Sequence, residues 1–225
     1  MKNLDLGPSP LNSSAILSRT GVNSFYGGNN MKALLSIFIG LMVSTAAQAG
    51  FMAEPYVGYG TGTTKCTAAA GTDCGAKSTG SGYGARLGWM LVDGLWFAGE
   101  YAGGSTTLKY DDTTQANETV DQTNIGAAAG FDFANGLRLF GGYGFSNTVK
   151  DKTASGDLTL KGTSVYVGLG YKFHDHISVN FQYHMDTFTK FDFPPLTDQN
   201  ISTLFSTFTP TRMMLSISYV YGSGK

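Results

Sequence analysis

Eight segments of this chain alternate large apolar side chains with small or polar ones at every second position. Between Tyr83 and Leu91, for example, one face carries Tyr, Ala, Leu, Trp and Leu, whereas the other carries Gly, Arg, Gly and Met. Successive side chains of an extended strand point to opposite faces, so a period of two predicts β-strands. Each segment holds about ten residues, which is the length of a tilted strand that crosses a bilayer. The alternation therefore predicts an all-β fold in which one sheet face is apolar.

Three hairpins between these segments form an internal repeat. The stretches that begin at Gly88, Gly130 and Gly170 share an aromatic residue, a three-residue turn and an apolar residue that opens the next strand, at offsets of 42 and 40 residues. Asp-Gly and Asn-Gly favour tight hairpins because glycine tolerates a positive φ. The third copy lacks the glycine, so its turn is placed by its alignment with the other two copies and by Asp175. The predicted turns are 92–94, 134–136 and 174–176.

The connections at the opposite ends of the strands are predicted to be much longer. Polar stretches lie at roughly 61–80, 104–122, 146–160 and 187–209. Short turns on one side and long loops on the other are typical of transmembrane β-barrels. We therefore expect the chain ends and short turns in the periplasm and the long loops outside the cell.

The apolar faces carry a cluster of aromatic residues beside the short turns. A soluble sandwich also alternates, but this clustering indicates a girdle of rings at the membrane interface. Lipid supplies no water to an open sheet edge, so the sheet must close on itself. The predicted fold class is all-β, an eight-stranded antiparallel transmembrane up-and-down β-barrel. The predicted girdle comprises Trp89, Phe131, Phe133, Tyr171, Phe173, Tyr219 and Tyr221.

The segment before the first strand has the composition of a secretory signal peptide. Residues 31–49, MKALLSIFIGLMVSTAAQA, combine a charged start, a short apolar run and an Ala-x-Ala site, so cleavage is expected before Gly50. A transmembrane anchor is the alternative, but the apolar run is shorter than the roughly 20 residues that a spanning helix needs. Residues 1–30 show no period, and we expect Met31 to be the true start. The predicted domains are a leader at 1–30, a signal peptide at 31–49 and a barrel at 50–225.

Charge and cysteine content limit which ligands and partners the exported chain is expected to have. From Gly50 onward, 12 Lys and Arg stand against 15 Asp and Glu, which gives 12 − 15 = −3 and no basic footprint for nucleic acid. Cys66 and Cys74 are expected to form a disulfide, as is usual for paired cysteines in an exported protein. Further ligands are missing nearby, so we expect no metal site and no cofactor.

Over residues 50–225 the chain resembles the small outer-membrane barrels of the OmpA membrane-domain and OmpX type. The strand count, the asymmetry of the turns and the aromatic last strand MLSISYVY carry the resemblance. It implies a bacterial outer-membrane protein that the barrel-assembly machinery inserts, surrounded by outer-membrane lipid and lipopolysaccharide; we expect a monomer. The chain departs from the family in the residues GSGK after Tyr221, which weakens the expected recognition of its C-terminus and leaves the fold unaffected.

The polar faces of the predicted strands point into the barrel and carry balanced charge. Eight strands leave a lumen that side chains can fill, and unpaired charges there are costly, so we expect the charges to pair. Arg86 and Glu100 lie at equal distances from one turn, and Asp132 and Arg138 do the same beside the next. The main interpretation is a plugged barrel, and a narrow gated pore is the alternative. The predicted lumen network comprises Glu54, Arg86, Glu100, Asp132, Arg138, Lys172, Asp186 and Arg212.

A His-x-Ser pair is the strongest candidate for catalysis. A lipid A deacylase of this architecture uses such a pair on its lipid face, but His176 and Ser178 lie beside a short turn, on the periplasmic side. Ser178 also belongs to the lumen face. We therefore predict a polar lumen lining and no catalytic residues, and a lipid A-modifying enzyme is a minor alternative.

The fourth long loop contains five phenylalanines. Exposed apolar residues at this density often mark contact sites, here for a host or surface ligand. Packing of the rings on each other or on lipopolysaccharide is an equally strong alternative. The predicted function is a structural or adhesive surface role through four extracellular loops, and a passive channel for small or apolar solutes is the alternative. The predicted contact residues are Phe188, Phe191, Phe193, Phe205 and Phe208.

Overall fold

The computed structural model describes residues 50–91, 94–110, 117–153 and 156–222. The predicted leader and signal peptide, the turn residues Val92 and Asp93, and the tail after Gly222 lie outside the described residues. No helix in the described part of the chain is both long and apolar enough to cross a membrane.

Ten β-strands account for most of the described residues, and a 3₁₀ turn at Ile201–Thr203 separates two of them. The strands are β1 Gly50–Ala68, β2 Ala76–Met90, β3 Leu95–Tyr110, β4 Glu118–Asp132, β5 Leu137–Thr153, β6 Gly156–Lys172, β7 Ile177–Phe193, β8 Leu196–Asn200, β9 Phe205–Tyr219 and β10 Tyr221–Gly222.

Consecutive long strands pair antiparallel, and the last long strand closes the sheet. Strand β9 pairs with β7 on one side and with β1 on the other, from Tyr56 opposite Ser218 to Ala68 opposite Phe205. The short strands β8 and β10 only extend the edges of β7 and β1. The predicted eight-stranded antiparallel up-and-down barrel is confirmed, and β1–β7 and β9 form its wall.

The two faces of the wall differ as the alternation requires. Large apolar side chains, among them Val57, Leu87 and Ile217, are exposed on the outside, where lipid replaces water. Polar side chains such as Glu54 and Asn180 are fully buried inside. All the residues predicted for the girdle lie on the outer face near the short-turn end, with Phe131 half-buried and the other six exposed.

Two of the three short turns depend on glycine. Gly94 and Gly136 have φ values of 85° and 88°, a left-handed conformation that side chains with a Cβ rarely adopt. The third turn is closed without glycine, and the Phe173 amide donates to the Ile177 carbonyl at 3.3 Å. The turn at 174–176 therefore lies where the repeat predicts it.

The prediction of long loops is wrong for most of their length. The long strands contain 15–19 residues, whereas a membrane crossing takes about ten. The wall continues through Thr-rich segments, and only short connections, such as residues 69–75, remain outside it. Cross-strand hydrogen bonds satisfy the backbone of these polar segments, which allows them to extend as sheet beyond the lipid. We name the part of the wall beyond the apolar band, at the end predicted to face outward, the extracellular extension.

Two β-bulges change which side chains face the interior. In β5 an extra residue at Phe145–Ser146 turns Asn147 inward. In β7 Lys161 pairs with Lys190 and Gly162 with Phe188, so Thr189 has no cross-strand partner. A bulge inserts one residue and reverses the alternation beyond it. Phe188 and Phe191 are therefore both buried inside.

Candidate functional site

An ion-pair network crosses the barrel near its periplasmic end. Arg138 binds Glu54 through two hydrogen bonds of 2.7 and 3.1 Å and also donates to Asp132 at 2.9 Å. Ser178 accepts from Arg138 at 2.9 Å, and Ser218 donates to Glu54 at 2.7 Å. Lys172 forms an ion pair with the other oxygen of Asp132. Carboxylates and guanidinium groups buried together at these distances compensate much of their desolvation cost.

Arg86 lies in an aromatic cage directly above this network. Its guanidinium carbon is 4.7 Å from the ring centre of Phe140 and 4.9 Å from that of Tyr56. Trp96 and Tyr166 complete the cage, each at 5.9 Å. Such contacts stabilise a desolvated cation by about 2 kcal/mol or more. The cage therefore supports a charge that has few hydrogen-bond acceptors around it.

Glu100 connects the cage to the ion pairs. Arg86 donates to it at 3.1 Å, and the hydroxyls of Tyr56 and Tyr166 donate to it at 2.8 and 2.5 Å. Arg86 also lies 3.5 Å from Glu54, which joins the two layers. The sequence analysis did not identify the two tyrosines as partners of Glu100. Their positions on the lumen face were the available signal.

Bulky side chains fill the space around these charges. Met52 and Trp96 have no accessible surface, and Val220 has 3%. Arg86, Arg138 and Glu54 are equally inaccessible. We name this layer the plug, comprising Met52, Glu54, Arg86, Trp96, Glu100, Asp132, Arg138, Lys172 and Val220. Most of these side chains are buried inside the barrel at this level.

A second polar network lies above the plug. Arg212 donates to Gln122 at 2.5 Å, Gln122 donates to Asn147 at 2.9 Å, and Asn147 donates to Asp186 at 3.0 Å. Asp186 and Arg212 thus interact through two amides. His184 stacks on Tyr166 with 4.8 Å between the ring centres. Sequence reasoning missed Gln122, which lies in a predicted loop, and Asn147, whose orientation depends on the bulge in β5.

An apolar cluster lies at the extracellular end of the barrel. Leu160, Phe188 and Phe191 are its buried members. Val149, Leu158, Phe193, Ile201, Leu204 and Phe208 pack around them, and Phe205 stacks on Phe208 at 4.9 Å. Phe188 and Phe191 are only 7% and 5% accessible, so these two predicted contact residues are not exposed. Phe193, Phe205 and Phe208 are partly accessible. The bulge at Thr189 turns Phe191 inward, and the alternative in which the rings pack on each other agrees with this arrangement.

The two residues of the His-x-Ser pair, His176 and Ser178, have different surroundings. Ser178 is fully buried in the ion-pair network, with Ser218 at 2.7 Å. The His176 ring lies at the periplasmic rim, 3.0 Å from the carbonyl oxygen of Val220. Among the described residues, no group of three or more His, Cys, Asp or Glu could hold a metal ion.

A carboxyl pair lies at the extracellular end of β4 and β5, outside the apolar band. Tyr110 donates to Glu118 at 2.5 Å, and Asp151 hydrogen-bonds to the same carboxyl group. Partial burial, together with the charge of Glu118, raises the pKa of Asp151 from 3.8 to about 6. Asp151 therefore holds its proton more tightly in the folded chain than in the unfolded one.

Asp151→Asn is expected to strengthen this end of the barrel at neutral pH. The raised pKa contributes stability below about pH 4, and this contribution is lost as the pH rises through about 6. Asp151 is half-buried, and screening by the nearby solvent keeps the expected gain below about 1 kcal/mol. Amide exchange at the ends of β4 and β5, corrected for intrinsic rates, should accelerate between pH 5 and 7 in the wild type but not in the variant. Asp175→Asn, at the opposite end, is the control, and an equal pH profile in D151N and wild type would contradict the prediction.

The first extracellular connection is held by the Cys66–Cys74 disulfide, as predicted, with 5.1 Å between the Cα atoms. Thr67 and Asp73 form an isolated bridge inside the same loop. A cleft of about 620 Å³ lies beside it, and Lys65, Lys77 and several threonines are among its lining residues. The disulfide therefore supports one wall of a polar cleft at the cell surface.

Comparison with known proteins agrees with this architecture. Residues 33–208 match the model of a family described as outer membrane protein beta-barrel domain. Among solved structures, the chain is similar to Ail, the attachment invasion locus protein of Yersinia pestis, which was crystallised with the heparin analogue sucrose octasulfate. The two chains are 14% identical, with a TM-score of 0.49, and the match covers 76% of this chain and 99% of Ail. OprG of Pseudomonas aeruginosa matches at 13% identity and a TM-score of 0.46, covering 77% and 96%. Neisserial surface protein A matches at 16% and 0.43, covering 73% and 96%. No curated protein matches the chain.

Proposed function

Because the chain belongs to the outer membrane protein beta-barrel domain family and lies in the bacterial outer membrane, we propose that it is a non-conducting barrel that presents a rigid surface for contact outside the cell. The plug is the observation that carries this proposal. A conducting barrel needs a continuous aqueous path, whereas Trp96, Arg86 and Arg138 of the plug have no accessible surface of their own. In this proposal the side chains of the lumen stabilise the barrel, and the surface outside the cell performs the function.

The extracellular extension supports the second half of the proposal. On β1, β2 and β3 the outward residues change from aromatic to hydroxyl-bearing beyond Tyr59, Tyr83 and Tyr101. The same strands continue for several residues with unbroken pairing. A sheet of this kind is stiffer than free loops, so it presents side chains in fixed positions and loses little entropy on contact.

A narrow channel is the second candidate. Small cavities of about 30 and 20 Å³ lie above the plug, lined partly by Gly82 and Met214. Cavities of this size hold about one or two waters. They favour a polar, hydrated upper lumen, but a channel also requires the plug to open.

Planar bilayer recordings of the refolded wild type distinguish these functions. We expect no unitary conductance steps at potentials up to about 100 mV, because moving one charge through that potential yields only about 2.3 kcal/mol, less than breaking a buried ion pair costs. Insertion is verified by heat-modifiable gel migration of the same proteoliposomes. Stable, uniform steps would contradict the closed lumen and support the channel.

A further inference from the structure

We propose that Lys65, Lys77 and Lys109 form a binding site for the phosphate groups of the lipopolysaccharide saccharide in the surrounding leaflet. This inference rests on the proposed contact role of the extracellular extension and names its partner. We refer to these residues as the lysine triad.

The sheet register brings the triad together on three neighbouring strands. Lys77 of β2 lies directly opposite Lys109 of β3. Thr63 of β1 lies opposite Lys77, so Lys65, two residues further along, is its diagonal neighbour. Side chains in these positions have Cβ atoms about 5 and 7–8 Å apart. All three lysines share the outward face and are exposed.

The triad brings three positive charges together on one face of the sheet. In the described part of the chain, none of the three lysine side chains makes a hydrogen bond or an ion pair. Like charges directly opposite each other destabilise a sheet. Lys161, in contrast, lies 2.7 Å from Asp192 and 3.2 Å from Asp198. An external anion would remove the repulsion within the triad, and ammonium groups bind phosphate well.

The position of the triad favours lipopolysaccharide of the surrounding leaflet as the source of the anion. Lys65 and Lys77 lie six residues, or about 20 Å along the strand, beyond the tyrosine that ends the apolar band, and Lys109 lies eight residues, or about 26 Å, beyond it. The outward residues between them are hydroxyl-bearing or glycine, which suits hydrogen bonds to a saccharide. These residues are Thr61, Thr63, Thr79, Ser81, Gly103, Ser105 and Thr107.

The cleft beside the disulfide extends the same surface. Lys65, Lys77 and Tyr110 line it together with Thr63, Thr64, Thr67 and Thr207. Asp73 is its acidic member and accepts from Thr67 at 3.4 Å. A cleft of about 620 Å³ has the size of an ordinary small-ligand site. It can hold a sugar ring whose phosphate contacts the lysines.

Calorimetric titration of protein in phosphatidylcholine nanodiscs with deacylated, phosphorylated lipopolysaccharide oligosaccharide tests the site. We expect each Lys→Gln substitution in the triad to weaken binding about fivefold, and K65Q/K77Q/K109Q to weaken it about 100-fold, from roughly the contribution of one lysine near an anionic surface. Lys161→Gln is the matched control, because it removes the same charge from a lysine that is already paired, and it should bind as the wild type does. Gel migration verifies that every variant folds.

Two further probes identify the source of the anion. Dephosphorylated oligosaccharide should bind the wild type as weakly as the phosphorylated form binds the triple variant. Heparin represents a sulfated polysaccharide from outside the membrane, and a clear preference for heparin over the phosphorylated oligosaccharide would overturn the assignment to lipopolysaccharide. Equal binding by the wild type and the triple variant would overturn the site itself. Neither result affects the bilayer recordings, so failure of this inference and failure of the closed lumen are distinguishable.

Discussion

Glu54→Gln is expected to destabilise the barrel more than any other single substitution in the lumen. Glu54 is fully buried and is shared by Arg138 and Arg86. Without its charge, two buried guanidinium groups depend on Glu100 and Asp132 alone. Breaking a buried pair costs about 3–5 kcal/mol, and water entering from the periplasmic side should reduce this. We expect a clearly lower urea midpoint in lipid vesicles, followed by gel migration and tryptophan fluorescence.

Glu118→Gln is the matched control for this prediction. It makes the same chemical change at the extracellular mouth, where Glu118 lies beside Asp151 and Tyr110. Removing charge there relieves repulsion, so the midpoint should stay unchanged or rise. Equal midpoints for E54Q and the wild type would show that the ion pairs of Glu54 contribute no net stability, and the plug would lose its central element.

Arg86→Ala is expected to have the second largest effect and to open the lumen. The substitution removes the partner of Glu100 at 3.1 Å and leaves a void inside the cage of four aromatic rings. Both losses destabilise, by about 3–5 kcal/mol for the orphaned charge alone. The void lies in the layer that we propose closes the lumen, so bilayer recordings should show small unitary steps that the wild type lacks.

A double-mutant cycle separates the charge from the void. R86A/E100A should recover part of the stability lost in R86A, because neither charge is then orphaned. Arg86→Met keeps most of the volume without the charge, so it should be destabilised but remain closed in bilayers. Strictly additive effects of the two single substitutions would show that Arg86 and Glu100 do not interact. Conductance in R86M equal to that in R86A would show that volume does not close the lumen.

The cross-strand pairs illustrate what local periodicity predicts well. Arg86 opposite Glu100 and Asp132 opposite Arg138 follow from counting residues away from a tight turn. The turn determines the register, and alternation determines the face. The salt bridge between Arg138 and Glu54 is different in kind, because these residues lie 84 positions apart and meet across the lumen. Only closure of the barrel determines that distance.

The extracellular extension shows where residue type misleads. Segments such as 61–68 are rich in threonine and other polar residues, and this composition predicts a loop. The strand persists because Thr63 contacts Thr211 and Thr67 contacts Thr207, which lie 148 and 140 positions away in the chain. Threonine has a high β-propensity, but that propensity depends on its cross-strand neighbours. The extent of each strand beyond the membrane is therefore a tertiary property.

The sequence by itself determined the number of membrane-spanning strands, the outward and inward faces, the three hairpin turns and the disulfide, because each follows from residues that are close in the chain. The tertiary structure decided the partners within the plug, the inward positions of Asn147 and Phe191 and the convergence of the lysine triad. The first depends on closure, the second on bulges that shift the alternation by one residue, and the third on the register of three strands. These three features involve contacts between distant parts of the chain, and no local pattern records them.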